Sequence, residues 1–240
     1  MENNNAPLGV GGKTIIITGA NGNLGTATVK KFLDKGYFVV AVDGSSNHLG
    51  FALNNINFEF HSVNLTNETE TANFVNIIIA KHGKVDGALM LVGGFAMGNI
   101  TATTGADLQK QFSLNFETAY FVSQPLIAHM QQNGYGRLVF IGARPAINPA
   151  QGKDLVAYAL TKSLVFKLAD FINEENKGTN VVASVVVPST IDTAINRNSM
   201  PDANPANWVK PEQIADVLEF ICSEKGSPLR EPIYKVYNNA

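Results

Sequence analysis

Residues 13–44 read KTIIITGANGNLGTATVKKFLDKGYFVVAVDG, and this stretch decides the fold. It opens with an apolar, β-branched run (TIIIT) and turns through glycines at TGANGNLG. A segment with apolar residues at helical spacing follows, and a second apolar run, YFVVAV, ends at Asp43. Strand, glycine turn, helix and strand in that order make one βαβ unit. Neither apolar run alternates with polar residues, so both strands are expected to be covered on two faces, as in a parallel sheet between helices.

The same alternation continues along the chain. Strands are expected at FEFHSVN (58–64), VDGALMLVGG (85–94), GRLVFIG (136–142), NVVASVVVP (180–188) and PIYKVYN (232–238). Helices are expected between them at 69–83, as one long helix over 107–132, at 157–178 and at 210–224. Together with the first unit this predicts an α/β doubly wound parallel sheet of about seven strands with helices on both faces and right-handed crossovers. No repeat or linker divides the chain, so one domain over 13–240 is expected, preceded by a flexible tail over 1–12. Residues 189–209 lack periodicity and are too long for a plain connection, which predicts a segment covering a site.

Composition narrows the function. The chain has 240 residues, 45% of them hydrophobic, enough for a sizeable core, and a formal charge of −2. That balance offers no basic field for nucleic acid, so a nucleic-acid partner is not expected. No apolar stretch is long enough to span a bilayer, and no basic-then-apolar leader opens the sequence, so a cytoplasmic protein without a membrane partner is expected. The single cysteine, Cys222, sits in the apolar helical run VLEFICSEK and is expected to be a buried core residue. The four histidines show no ligand spacing, and no metal site is expected. A Gly-x-Ser-x-Gly elbow is absent, which removes a hydrolase of that type.

Two places carry chemistry. In the first turn, Gly19 suits a tight bend, Gly22 lets a pyrophosphate approach the backbone, and Gly25 permits close packing, while the helix that follows offers free N–H groups to an anion. Asp43, 24 residues after Gly19, can accept hydrogen bonds from an adenosine ribose and would repel a 2′-phosphate. Neither Asn21 nor Gly44 brings a basic side chain, so NADH/NAD is favoured over NADP(H). In the second place, Tyr158 and Lys162 stand four apart at the start of the helix after the fifth strand, hence on one helix face at the carboxyl edge of the sheet. There the ammonium is expected to stabilise a phenolate and lower the phenol's pKa towards working pH, making it a usable proton donor.

With these features in place the chain resembles the short-chain dehydrogenase/reductase family over residues 12–238, through TGANGNLG, Asp43, LVGG after the fourth strand, Asn115 in SLNFETAYF, Tyr158-x-x-x-Lys162, and VVPSTIDT. The resemblance implies a Rossmann-type NAD(P)-binding oxidoreductase. In it Tyr158 is the general acid/base, Lys162 lowers its pKa and holds the nicotinamide ribose, and Asn115 supports a proton path. It further implies that Asn21, Asn23, Leu24, Asn64, Leu65, Val92, Gly93, Gly94, Pro188, Ser189, Ile191 and Thr193 join Gly19, Gly22, Gly25, Asp43 and Lys162 around the dinucleotide.

The departures are specific. Ala143 stands where the family's catalytic serine is usual, Asn23 replaces the common middle glycine, Asn64 an aspartate, and Ser189 a glycine. The dihydropteridine reductase branch resembles this pattern more closely, through GARPA (142–146), VGGFAMGN (92–99) and IDTAINRNSMPDANPANW (191–208). Asn115, however, is a residue that branch is expected to lack. This resemblance implies an NADH-dependent transfer of hydride to a conjugated acceptor, foremost a quinonoid dihydropteridine, with Ala143, Arg144, Phe95 and Tyr158 facing the substrate and Phe95 able to stack on a flat ring. A general carbonyl or alcohol oxidoreductase and a non-catalytic NAD(H)-binding sensor or scaffold are the alternatives. Phe112, Phe116, Tyr120 and Phe121 fall at helical spacings suited to core and subunit contacts, so a homodimer or homotetramer is expected.

Overall fold

The computed structural model describes residues 12–230 and 232–239, so the expected tail lies outside the described residues apart from Gly12. Seven strands form one sheet in the order β3-β2-β1-β4-β5-β6-β7. They are β1 Thr14–Thr18, β2 Phe38–Asp43, β3 Phe58–Ser62, β4 Gly87–Met90, β5 Gly136–Ile141, β6 Val181–Pro188 and β7 Ile233–Val236. Every pairing is parallel. The chain reverses its direction of travel across the sheet between β1 and β4, and a crevice opens there at the carboxyl ends of the strands.

The non-alternating strands are buried twice over. On β1, Ile16 packs with Val40, Ala88, Phe140, Val122 and Leu126 into one core, while Ile15 and Ile17 pack with Val39, Leu89, Val29, Phe32 and Leu218 into the other. The first core lies under helices α2 Glu68–His82, α4 Thr118–Asn133 and α6 Val156–Glu175, and the second under α1 Asn23–Asp34 and α8 Pro211–Cys222. Each buried aliphatic side chain contributes roughly 1.5–3 kcal/mol, so a polar residue in either half of the strand pattern would be felt. Cys222 is a buried free thiol in the second core, as expected for its helix.

The largest departures from the sequence pattern lie in three places. The strand expected over 85–94 is only four residues long, because Leu91–Gly94 leave the sheet and become the loop above the crevice. The long helix expected over 107–132 is α3 Gly105–Phe112 and α4, joined by a π-helical turn, Ser113–Glu117. The segment after β6 contains a short helix, α7 Ala194–Ser199, capped by Thr193. One more short helix, α5 Pro149–Gly152, lies in the loop after β5. Of the aromatic series, Phe116 is packed against the first core and Tyr120 is exposed, with ring centroids 5.9 Å apart.

Candidate active site

The glycine turn closes over the carboxyl end of β1. Gly19 has φ +65° and its backbone lies so near Leu91 and Val92 that a Cβ would come within 3.0 Å of both, so only glycine fits. Gly25 is required for a different reason from the helix-on-strand packing expected of it: a Cβ there would sit 2.0 Å from the Gly19 carbonyl oxygen, inside the turn itself. Gly22 is the N-cap of α1 and gives no side-chain acceptor, and no acidic residue occupies the first turn. By contrast Asn67 caps α2 and Thr104 caps α3. The first N–H groups of α1, at Asn23, Leu24 and Gly25, therefore face the crevice end with no side chain to receive them, which fits a pyrophosphate.

Asp43 at the end of β2 binds this turn. Its carboxylate accepts from Asn21 N–H at 3.0 Å and Gly44 N–H at 2.7 Å. Asn21 also ties the next loop, donating from Nδ2 to Ser45 Oγ at 2.9 Å and accepting His48 N–H at Oδ1 at 2.7 Å. Asn64 lies after β3, where its Oδ1 accepts from the Thr66 hydroxyl at 2.7 Å, while the side chain of Leu65 is buried in the first core.

Lys162 and Tyr158, the pair expected to move a proton, come next. Lys162 is 5% exposed and its ammonium donates to the Ile141 carbonyl at 2.9 Å. Directly above it a Cβ on Gly93 would lie 3.0 Å from Lys162 Nζ and 2.9 Å from Asn115 Oδ1. Only a glycine lets the loop backbone close directly onto the ammonium and the carboxamide, and the buried ammonium, bonded to a single carbonyl, keeps N–H donors that fit a ribose hydroxyl of a nicotinamide dinucleotide. Asn115, carried by the π-helical turn, holds the roof in place: its Oδ1 accepts Gly94 N–H at 2.9 Å and its Nδ2 donates to Gly94 O at 3.1 Å. Two buried residues that sequence reasoning missed, Gln111 and Thr161, meet the same carboxamide at 2.8 and 3.3 Å. No motif marks either of them.

Tyr158, half-buried on α6, makes no side-chain hydrogen bond to a described residue and meets Phe95 edge to face, ring centroids 5.3 Å apart at 64°. The electrostatics reverse the expected tuning. Burial pushes the Tyr158 phenol up to about 12 and the Lys162 ammonium down to about 8. The ammonium is engaged by a carbonyl and not by the phenol, so desolvation governs both groups.

A family model for short chain dehydrogenases matches residues 13–204. The chain belongs to the short-chain dehydrogenase family. It is an NAD(P)-dependent oxidoreductase with one Rossmann-type domain. Over 209 residues it is 28% identical to a dihydropteridine reductase of Dictyostelium discoideum, covering 86% of each chain. Over 235 residues it is 28% identical to a 3-oxoacyl-(acyl-carrier-protein) reductase of Rickettsia felis, covering 90% of this chain and 91% of that one. The fold is similar to that of a 4-hydroxyisoleucine dehydrogenase complexed with NADH, with a TM-score of 0.84 at 18% identity over 94% of this chain and 97% of that one.

In this short-chain dehydrogenase the strand β5 ends without a hydroxyl. Ala143 is 4% exposed in extended backbone, φ −151°, and begins a 3-10 turn, Arg144–Ala146. Arg144 is half-buried: its guanidinium lies 5.0 Å from the Tyr237 ring centroid and its Nε donates to Gln151 Oε1 at 3.2 Å. Phe95 is 64% exposed at the mouth of the crevice. At the end of β6, beside Pro188, Ser189 spends its hydroxyl on the Tyr237 carbonyl at 2.7 Å, while Ile191 forms a single parallel bridge with Val209. A recess of about 560 Å³ opens behind this segment, lined by Asp192, Arg197, Trp208 and Lys210 among others and not by Tyr158. Among the described residues no His, Cys, Asp and Glu group suits a metal ion, and no helix is long and apolar enough to cross a membrane.

Proposed function

We propose that this enzyme uses NADH to reduce a flat, conjugated ring, a dihydropteridine being the favoured substrate. One observation carries the proposal: burial keeps the Tyr158 phenol of helix α6 protonated, and Ala143, where β5 ends, supplies no second hydroxyl. Reduction of a ketone gathers negative charge on one oxygen, and losing one donor to such an oxygen costs about 2.7–4 kcal/mol. A dihydropteridine spreads the incoming charge over several ring heteroatoms, so one proton donor suffices. Similarity to the Dictyostelium dihydropteridine reductase supports the same substrate class.

A bound nicotinamide dinucleotide supplies the hydride. The acceptor would gain that hydride together with one proton from the protein, with the N–H groups at the start of α1, Asp43 and Lys162 holding the dinucleotide. Tyr158 holds the proton at its phenol oxygen, and a pKa near 12 keeps that group protonated throughout the neutral range, which suits reduction. Lys162 brings a buried positive charge beneath Gly93, and the exposed ring of Phe95 gives a face on which a flat acceptor can lie. Asp43, with no Lys or Arg in the following Gly44–His48 loop, supports NADH over NADPH.

A carbonyl or alcohol oxidoreductase is the second reading, favoured by the retention of Asn115 and the equal identity to the Rickettsia reductase. NADH oxidation by the purified protein with quinonoid dihydropteridine and with a panel of ketones separates the two. Pteridine turnover that falls about 10²–10⁴-fold in Tyr158→Phe, with NADH affinity kept, is the expected result. Turnover of ketones alone would transfer the assignment to the second reading, and NADH binding with neither turnover would leave a sensor.

A further inference from the structure

Helix α3 has a single buried residue, and it is polar. Gln111 is 3% exposed, whereas the rest of GADLQKQF faces solvent or is half-buried. Burying a carboxamide is unfavourable without hydrogen bonds, so its partner matters. Gln111 Oε1 accepts from Asn115 Nδ2 at 2.8 Å, shorter than that nitrogen's contacts with Gly94 O at 3.1 Å and Thr161 Oγ1 at 3.3 Å. Thr161 in turn donates to Ala157 O at 2.9 Å and Tyr158 O at 3.1 Å.

One carboxamide therefore joins three elements: α3 through Gln111, the catalytic helix α6 through Thr161, and the Gly93–Gly94 roof. A π-helical turn presents it, and Leu114 of that same turn packs so tightly beneath Gly94 that a Cβ there would come 2.4 Å from Leu114 Cδ2. An Asn side chain can face its partners in two flipped orientations, and only one places Oδ1 towards Gly94 N–H. With Gly94 O and Gln111 Oε1 both beside Nδ2, the flipped form would set the Asn115 oxygen against two acceptor oxygens, and Gln111 makes the shorter of the two bonds that oppose it.

We infer that Gln111 is a positioning residue, which fixes the orientation of Asn115 and so holds Gly93–Gly94 packed against Lys162, on the side assigned to the dinucleotide. Among the described residues it makes no hydrogen bond to Tyr158 or Lys162, and it acts through Asn115. The inference rests on the assignment of Gly93 and Lys162 to the cofactor.

Two substitutions separate the acceptor from the bulk. Gln111→Met keeps the length and removes the oxygen, whereas Gln111→Glu keeps an acceptor oxygen in either protonation state. NADH dissociation constants from fluorescence titration, kcat, and the exchange rate of the Gly94 amide are measured for both beside the wild type. Gln111→Met is expected to weaken NADH about tenfold, lower kcat and speed Gly94 exchange, and Gln111→Glu to return all three to within about threefold of wild type.

Equal losses in both variants, or NADH affinity falling only in step with the thermal midpoint, would overturn the positioning role. Should Gln111→Met not fold, faster Gly94 exchange in Gln111→Ser than in Gln111→Glu supports the inference, and equal rates overturn it. Wild-type protein that binds no NADH would sink the cofactor assignment, while the Gly94 exchange rates would still judge the coupling between Gln111 and the roof.

Discussion

The two ends of the sheet both bury charge, and they treat it in opposite ways. At the amino end Arg137 is 1% exposed, and its guanidinium donates to Gly136 O, Asn180 O, Asn180 Oδ1 and Ser227 O at 2.7–2.9 Å. Asp86 beside it accepts Thr14 N–H at 2.9 Å and pairs with Lys84 at 2.7 Å. Lys13 adds bonds to the Tyr135 hydroxyl and the Cys222 carbonyl, both at 3.0 Å, and an ion pair with Glu224 at 2.7 Å. At the carboxyl end the Lys162 ammonium has one bond, to Ile141 O, and the Tyr158 hydroxyl has none to a described residue. Buried polar groups that are fully partnered hold a fold together; those left short of partners are where a ligand completes the set.

That contrast is broken most forcefully at Arg137. In Arg137→Leu the carbonyls of Asn180 and Ser227 lose their donor inside the protein, which costs about 3 kcal/mol in all. The thermal midpoint should fall by on the order of 6–12 °C. NADH affinity measured well below that midpoint should not change, because Arg137 lies at the far edge of the sheet from the glycine turn. Lost NADH binding at an unchanged midpoint would refute the division between the two ends.

The carboxyl end makes the opposite prediction, that removing its charge stabilises the free protein. Burial lowers the Lys162 ammonium to about 8 from an ordinary 10.5. The unfolded chain thus keeps the proton to a higher pH than the folded one. The penalty is fully present below about pH 8 and is lifted as pH climbs from about 8 to about 10.5. Lys162→Met should be more stable than wild type at pH 7 by on the order of 2–3 kcal/mol and lack the rise between pH 8 and 10. Urea unfolding at pH 7 and 9.5 reads both. Parallel pH profiles for the two proteins would mean that Lys162 is not strained by its burial.

How much of this was legible in the sequence depends on which interaction fixes each part. The β1–α1–β2 unit was readable because double-sided burial demands unbroken β-branched runs, and the glycine turn because backbone crowding at Gly19 and Gly25 leaves one residue type. Tyr158 and Lys162 were placed on one face of α6 by their i,i+4 spacing together with their position after the fifth strand, and Ala143 stood out only against the family resemblance. Leu91–Gly94 looked like strand because apolar residues line a loop over a site as well as they line a sheet. The π-helical turn left no trace, since one extra residue per turn changes hydrogen bonding and not composition. Gln111 belongs to no motif, and its partner lies in the turn whose geometry was hidden. The pKa values were misjudged for a related reason: the backbone carbonyl of Ile141, which carries no side-chain signal, takes the ammonium that spacing had assigned to the phenol.

The smallest effect is expected where the carboxyl end meets the adenosine side. Asp43 already accepts two backbone N–H groups, from Asn21 and Gly44, so its carboxylate is held in place and keeps lone pairs for a ribose hydroxyl. A 2′-phosphate brought within about 4 Å of it would meet a repulsion of roughly 1–2 kcal/mol in a largely aqueous setting. Asp43→Asn retains one acceptor oxygen and removes the charge. The ratio of NADH to NADPH dissociation constants should therefore move about tenfold towards NADPH, with the thermal midpoint lowered modestly because one of the two backbone N–H groups loses its acceptor. A ratio that stays where it was would mean that shape and not charge selects the cofactor. The preference would then lie in the Asn21–Ser45–His48 hydrogen bonds that close the loop, and Asn21→Ala, which cuts them without altering charge, would be the substitution that moves it.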